Sequence, residues 1–332
     1  MQKLAPLGNN QYISMHNIDT YINAATRENT RSSYRSAIEH YEVEWGGFLP
    51  ATADSVARYL ADHANQLAIS TLRQRLAALA RWHIDQGFPD PTKSPMVKKV
   101  MKGIQFVHPQ QTTQAKPLAL SQLEQVDKWL DSEIQKALFH NDTKALLKAR
   151  RDRAILLLGF WRGFRSDELS RLCAEHIVLS ADEGMTLFLP HTKTLSQGVT
   201  YKAPALKRLC PATAYEEWRK TAALSQGPAF QGINRWGHLS GRALHPASYI
   251  TLLRELFKAA CISDAERYSS HSLRRGFATW ASTSGWDMKT LMEYVGWKDI
   301  RSAMRYIEGA DPFARQRINS ELEQSAKLMG SP

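Results

Sequence analysis

Long hydrophobic runs are absent from this sequence. The longest, Ala154 to Trp161, is stopped at both ends by Arg153 and Arg162 and falls well short of the ~20 apolar residues that span a bilayer. The N-terminal stretch MQKLAPLGNNQYIS has neither the apolar block nor the small-residue cleavage site of a signal peptide, so the chain is expected to stay in the cytoplasm. Cysteine is scarce as well. The three present, Cys173, Cys210 and Cys261, are odd in number and widely spaced, which fits reduced thiols that pack better than a disulfide framework.

Several familiar chemistries are missing too. No GxxxxGK[ST] loop and no GxGxxG fingerprint after a strand occurs, so nucleotide binding has no support. The 11 histidines include no HExxH and no tight cluster with acids, and there is no CxxC. Neither a metal nor a cofactor is expected. Whatever chemistry exists must run on side chains alone.

What is present is positive charge. The 332 residues are 43% apolar and 23% charged, a globular composition long enough for two domains, and the formal net charge is +11. Up to Gln105 there are 12 Lys and Arg against 9 Asp and Glu, and 31 against 23 thereafter, so both parts are basic. A basic chain of this size commonly meets a polyanion, most often nucleic acid, although charge alone leaves a merely solvated surface equally open.

The polar segment VHPQQTTQAKP, Val107 to Pro117, has no period and a proline near each end, which marks it as a linker. Before it, Tyr34, Ala37, Ile38 and Tyr41 recur at helical spacing, as do Leu72, Leu76, Leu79 and Trp82. A helical bundle over 1–106 is expected. After the linker the pattern predicts helices over Leu120 to Leu138, Lys144 to Trp161, Asp167 to Leu172, Pro211 to Leu224, Pro246 to Cys261, Leu273 to Ser284, Met288 to Val295 and Ile300 to Tyr306. Met185 to Leu189 and Val199 to Lys202 read as two short strands joined by HTKTLSQG. The second domain, 118–332, is therefore mostly α with a small β-hairpin, and the fold class is mainly α.

In the first domain Arg73, Arg75 and Arg81 lie off the apolar stripe of their helix, and Lys98, Lys99 and Lys102 follow on the next. Such rows can track phosphates. In the second domain, WRGFRSDELSRL breaks a helix at Gly163 and sets Arg165 ahead of a new one, with Glu168 three residues on to orient its guanidinium. HSLRRGFATWA places His271 and Arg274 three apart at a helix start, hence on one face. Lys193 sits in the turn between the two strands. Taken singly, each has an ordinary structural explanation: an i,i+3 ion pair, a frequent accident of spacing, a solubilising turn residue.

The stretch VGWKDIRSAMRYIEGADPF sets Trp297 nine residues before Tyr306. A tyrosine with a pKa near ~10 needs help to attack anything. Among two arginines, a histidine and a lysine, its natural electrophile is a phosphodiester, whose growing negative charge the guanidiniums can hold, while lysine and histidine manage protons.

In this order and these contexts, Arg165, Lys193, His271 with Arg274, Trp297 and Tyr306 resemble the tyrosine recombinase (phage integrase) family. ILLLGFWRGFRSDELSRL looks like its first arginine motif, HTKT like its lysine, HSLRRGFAT like its HxxR box and VGWKDIRSAMRYI like its last box. The resemblance covers about Leu120 to Leu328 and extends loosely to the N-terminal helices, which look like a core-binding domain. One departure stands out. Trp297 occupies a position where most members carry histidine and Cre-type recombinases carry tryptophan. An indole donates one hydrogen bond and cannot shuttle a proton, so Trp297 is expected to position and pack.

The resemblance implies that Tyr306 is the nucleophile, that DNA is cut and rejoined through a 3′-phosphotyrosyl bond and a Holliday junction without ATP or metal, and that a homotetramer acts on two sites of double-stranded DNA. A nucleoid-associated location follows. Rivals exist for three residues: Tyr294 for Tyr306, Arg162 for Arg165, and Lys202 for Lys193. Beyond the nucleophile, Phe313, Ile318, Leu322 and Leu328 give Pro312 to Met329 an amphipathic face that could dock on a neighbour or on its own domain. Two other functions stay open, a type IB topoisomerase-like relaxing enzyme and a noncatalytic architectural DNA-binding factor.

Overall fold

A computed structural model describes residues 21, 26, 28–109, 114–180, 183–190 and 198–307. Lys193 and the segment 312–329 lie outside these residues; for Tyr306 the backbone is described and the side chain is not. The chain divides into two compact units, Met1–Thr113 and Gln114–Pro332.

In the first unit, α1 (Glu28–Glu39) runs into a π-helical turn, His40–Glu44, and is followed by α2 (Ala53–Asp62), α3 (Ile69–Asp85) and α4 (Pro95–Val107). Local chemistry fixes the ends. The Thr52 side chain accepts from the backbone N–H of Ser55 to start α2, and Ser94 followed by Pro95 starts α4. Each helix buries one stripe: Val56, Tyr59 and Leu60 from α2, Leu72 and Leu79 from α3, Val97, Met101 and Ile104 from α4. These close with Tyr41 around one core. His83 in α3 is buried, its Nε2 accepting from the Ala51 N–H at 2.8 Å and its Nδ1 2.7 Å from the Leu79 carbonyl. Helix α4 continues to Val107, so the helix takes in the first residue expected to be linker.

The second unit is built around α6 (Thr143–Trp161), which is buried nearly all round along 154–161 and packs on α5 (Leu120–Phe139), α8 (Pro211–Thr221) and α10 (Ser270–Thr283). A helix apolar on every side has to be central, because each fully buried large aliphatic side chain contributes roughly 1.5–3 kcal/mol. Between α6 and α8 lie the short α7 (Ser166–Ser170) and an antiparallel sheet of β1 (Ile177–Ser180), β2 (Gly184–Leu189) and β3 (Val199–Ala203), in that order. Met185, Leu187 and Leu189 alternate into the core and fix the register, Leu187 opposite Tyr201. Strand β1 and a second hairpin, β4 (Gln231–Ile233) with β5 (Leu239–Ala243), add to the two strands expected from the sequence. Helices α9 (Ser248–Ala259), α10, α11 (Met288–Val295) and α12 (Ile300–Ile307) complete the described chain.

Candidate active site

The site grows from two glycines that end helices. Gly163 closes α6 with φ +57°, and Gly296 closes α11 with φ +75°, a left-handed conformation that glycine adopts without strain. The turns aim two backbone carbonyls at one residue. Arg274, on α10 and 1% exposed, donates from Nη1 to the Gly163 carbonyl at 2.6 Å and from Nη2 to the Val295 carbonyl at 3.0 Å. A methyl on Gly163 would stand 3.4 Å from the Arg274 Cγ, so the turn and the arginine fit closely.

Glu168 binds the second arginine to the first. Its side chain, 6% exposed, accepts from the Arg165 backbone N–H at 2.8 Å and pairs with Arg165 Nη1 at 2.8 Å, while its other face lies 3.8 Å from Arg274 Nη1. One carboxylate between two guanidiniums leaves a net positive charge. Arg165, with 30% of its side chain exposed, can meet a ligand from solvent. Glu168 therefore does more than pair with its i,i+3 neighbour: it caps α7, orients Arg165 and faces Arg274.

The next residues gather around the same point. Ser166 and Ser270 bring the starts of α7 and α10 together, their hydroxyls 3.4 Å apart. His271 follows Ser270 in the first turn of α10 and is exposed, its backbone N–H donating to Ser269 Oγ at 3.2 Å. Trp297, 6% exposed, follows Gly296, and the Arg274 guanidinium sits 5.3 Å from its ring, a cation–π distance. Beside it opens a cavity of about 390 Å³ lined by Arg162, Tyr201, Lys202, Tyr294, Trp297 and Lys298, among others. Helix α12, whose last turn holds Tyr306, packs on α10 through a fully buried Ala303.

Two of the three rivals are held by other partners. Tyr294 donates its hydroxyl to the Trp161 carbonyl at 2.8 Å and stacks on Phe277 at 5.1 Å. Arg162 is buried, lies 4.0 Å from the Tyr294 ring and 4.8 Å from the Tyr201 ring, and donates to the Tyr294 carbonyl at 2.6 Å. Lys202 is exposed on β3 at the rim of the cavity. One residue escaped sequence reasoning. Burial, followed by the charge of Glu168, holds the Tyr201 phenol above its usual pKa against the pull of Arg162, Arg274 and Arg165, which keeps it protonated. Its only sequence signal was its place in the short VTYKA alternation.

Behind the site, the segment after residue 113 is stitched to α10 and to the turn that precedes it. The Lys116 N–H donates to the Arg267 carbonyl, the Leu118 N–H to the Ser272 carbonyl at 3.1 Å, and Arg275 bonds Gln114. A Cβ at Gly276 would fall 2.1 Å from the Leu118 carbonyl oxygen, so only glycine admits this approach.

Of the cations expected to track phosphates, Arg73, Arg81, Lys98, Lys99 and Lys102 are exposed. Arg73 donates to Gln105 at 2.8 Å and Arg81 to Asp85 at 2.8 Å. Arg75 is half-buried and donates to the Tyr59 hydroxyl at 2.8 Å, which ties it to its own unit's core. Among the described residues no group of His, Cys, Asp or Glu is placed to hold a metal, and no helix is long and apolar enough to cross a membrane.

Residues 128–311 match the model of the phage integrase family, more than half of the chain. The chain belongs to this family. An integrase/recombinase XerD homologue of Selenomonas ruminantium is 26% identical over 96% of this chain and 92% of its own length. Recombinase Cre of Escherichia phage P1 is 26% identical over 80% of this chain and 78% of its own. The Tn1549 transposon integrase, solved in complex with transposon right-end DNA, superimposes with a TM-score of 0.58 over 93% of this chain and 98% of that one at 15% identity, a likeness of fold.

Proposed function

We propose that this family member is a site-specific DNA recombinase that cuts and rejoins double-stranded DNA through Tyr306. The observation that supports this most is the Glu168 carboxylate shared by Arg165 and Arg274, with His271 exposed in the first turn of the helix that carries Arg274 and α12 packed on that helix. A phosphodiester gains negative charge as a nucleophile adds, and preformed cations with fixed orientation stabilise that charge more than the ground state.

In this reading the Tyr306 hydroxyl oxygen attacks phosphorus and its proton passes to His271. The P–O5′ bond breaks, Lys193 protonates the departing oxygen, and a 3′-phosphotyrosyl bond remains. A 5′-hydroxyl from the partner strand reverses the step through a Holliday junction, so the bond energy is retained and no metal or nucleotide is consumed. Trp297, lacking a transferable proton, packs on Arg274 and positions a phosphate oxygen. The first unit serves as a core-binding domain with Arg73, Arg81, Lys98, Lys99 and Lys102 toward phosphates, 107–117 as the linker and 118–332 as the catalytic domain. A homotetramer forms on two sites.

Covalent trapping tests this. Wild type and Tyr306→Phe are incubated with nicked DNA in chelator, denatured, and examined for protein carrying DNA. An adduct lost in Tyr306→Phe is expected. An adduct that survives the substitution overturns the assignment of the nucleophile.

A further inference from the structure

Arg162 takes no step in the reaction above. It is nonetheless 4% exposed, and no carboxylate among the described residues pairs with it. Removing a guanidinium from water without a counter-charge is unfavourable, so its surroundings must offset the loss. Aromatic rings do part of this. The guanidinium lies 4.0 Å from the Tyr294 ring centre, 4.8 Å from that of Tyr201 and 5.7 Å from that of Phe164, all within cation–π range. Its one hydrogen bond among the described residues runs from Nη2 to the Tyr294 carbonyl at 2.6 Å, and Nε has no partner there.

That bond has a counterpart running the other way, since the Tyr294 hydroxyl donates to the Trp161 carbonyl at 2.8 Å. The ends of α6 and α11 are thus stapled, residues 161 and 162 to residue 294. The next residue on each side, Gly163 and Val295, supplies the two carbonyls that Arg274 takes at 2.6 Å and 3.0 Å. A Cβ on Gly163 would lie 3.6 Å from Val295 Cγ1, so the two helix ends approach closely. Peptide planes are stiff, so holding the carbonyl of residue 294 restricts where the carbonyl of residue 295 points.

We propose that Arg162 is a positioning residue for the cleavage reaction: clamped between the Tyr294 and Tyr201 rings, it fixes the end of α11 so that the Val295 carbonyl holds Arg274 in place. This rests on the DNA-cleaving role proposed above. Arg162 touches neither the substrate nor the reacting atoms and acts through Arg274. The two arginines differ in what they need. Arg274 makes two divergent hydrogen bonds, whereas Arg162 makes one while lying over a ring, which an ammonium can also do.

The test uses the full chain with nicked duplex and saturating protein in chelator, and reads single-turnover cleavage, DNA affinity and amide hydrogen exchange. Arg162→Met, which keeps a slender side chain but neither cation nor donor, is expected to slow cleavage roughly 10- to 100-fold, the scale of a small misplacement at a reacting centre, with affinity within a few fold. Arg162→Lys is expected to stay within a few fold of wild type in both, in contrast to Arg274→Lys. Added to Arg274→Ala, Arg162→Met should slow cleavage by less than about twofold further, because the residue it acts through is gone. Tyr294→Phe, a milder break in the same staple, should slow cleavage severalfold and likewise lose its effect beside Arg274→Ala, so it decides the matter if Arg162→Met does not fold. Equal losses with and without Arg274 overturn the proposal, as does a loss of affinity at an intact rate. A wild type that forms no adduct overturns the catalytic reading, and exchange still decides the staple. The Gly296 and Trp297 amides, both donating to the Met292 carbonyl at 2.9 Å, should exchange faster in Arg162→Met than in wild type or Arg162→Lys. Unchanged exchange there overturns the staple.

Discussion

The cations of the two units carry the same charge and are held in opposite ways. On α3 and α4, Arg73, Arg81, Lys98, Lys99 and Lys102 are exposed, and the partners Arg73 and Arg81 find are a neutral amide and a helical i,i+4 carboxylate. Around Glu168, Arg165 and Arg274 are fixed by a buried carboxylate and by two carbonyls aimed at Arg274. Mobile, solvated cations give affinity that salt removes, because they release counterions wherever phosphate lies. Fixed cations act where charge develops and need no reorganisation at that moment. The first unit should therefore govern binding and the second the rate.

The largest effect expected from this contrast is at Arg274. Arg274→Ala should lower single-turnover cleavage by about 10³-fold while DNA affinity stays within a few fold, the range seen when one preorganised donor to a transition state is removed. Arg274→Lys keeps the charge but cannot make both the Gly163 and Val295 hydrogen bonds, so it should also fail. A thermal melt of each variant separates loss of folding from loss of rate. If both variants cleave normally once bound, Arg274 belongs with the binding cations and the contrast collapses.

A smaller effect, on the other side of the comparison, comes from Lys98, Lys99 and Lys102. Replacing all three by Ala should reduce the salt slope of binding by about 3 and leave cleavage at saturating protein intact. A fall in cleavage rate with unchanged slope would move these lysines from binding into positioning.

Much of this arrangement was legible beforehand, and the reasons differ by residue. Gly163 was visible as a helix break, since that follows from local geometry. The central α6 was visible because its apolar run is bounded by charges. Glu168 was read as the orienting partner of Arg165, but its second contact with Arg274 spans more than 100 residues of sequence, as does the bond from Arg274 to the Gly163 carbonyl, and periodicity carries no information at that range. Strands β1, β4 and β5 went unread because runs of three to five residues give too few alternations to tell strand from loop. Asn234 with Gly237 in NRWGH was the turn signal available there. Arg75 looked like one more surface cation of its helix; only the fold shows the Tyr59 hydroxyl that takes its guanidinium.

That same arginine gives the smallest prediction. The Tyr59 hydroxyl accepts from Arg75 and so has its hydrogen free for His40 Nδ1, 2.9 Å away, at the start of the π-helical turn. His63 meets the His40 ring at 4.9 Å, and Glu44 is 3.5 Å from its other nitrogen. Burial first, then the charge of Arg75, hold His40 below its ordinary pKa, with Glu44 opposing and His63 adding to the depression. The sign follows from proton counting. Below about pH 6.5 the unfolded chain takes up a proton that folded His40 resists, so stability falls as pH drops through that value and is recovered above it. His40→Gln removes this one titration, so its loss of melting temperature between about pH 7.5 and 5.5 should be smaller than wild type's. Equal losses in the two proteins would mean that the Arg75 and His40 cluster packs the first unit without sensing acid, leaving Arg75 free to be judged with the phosphate-tracking cations by its salt slope.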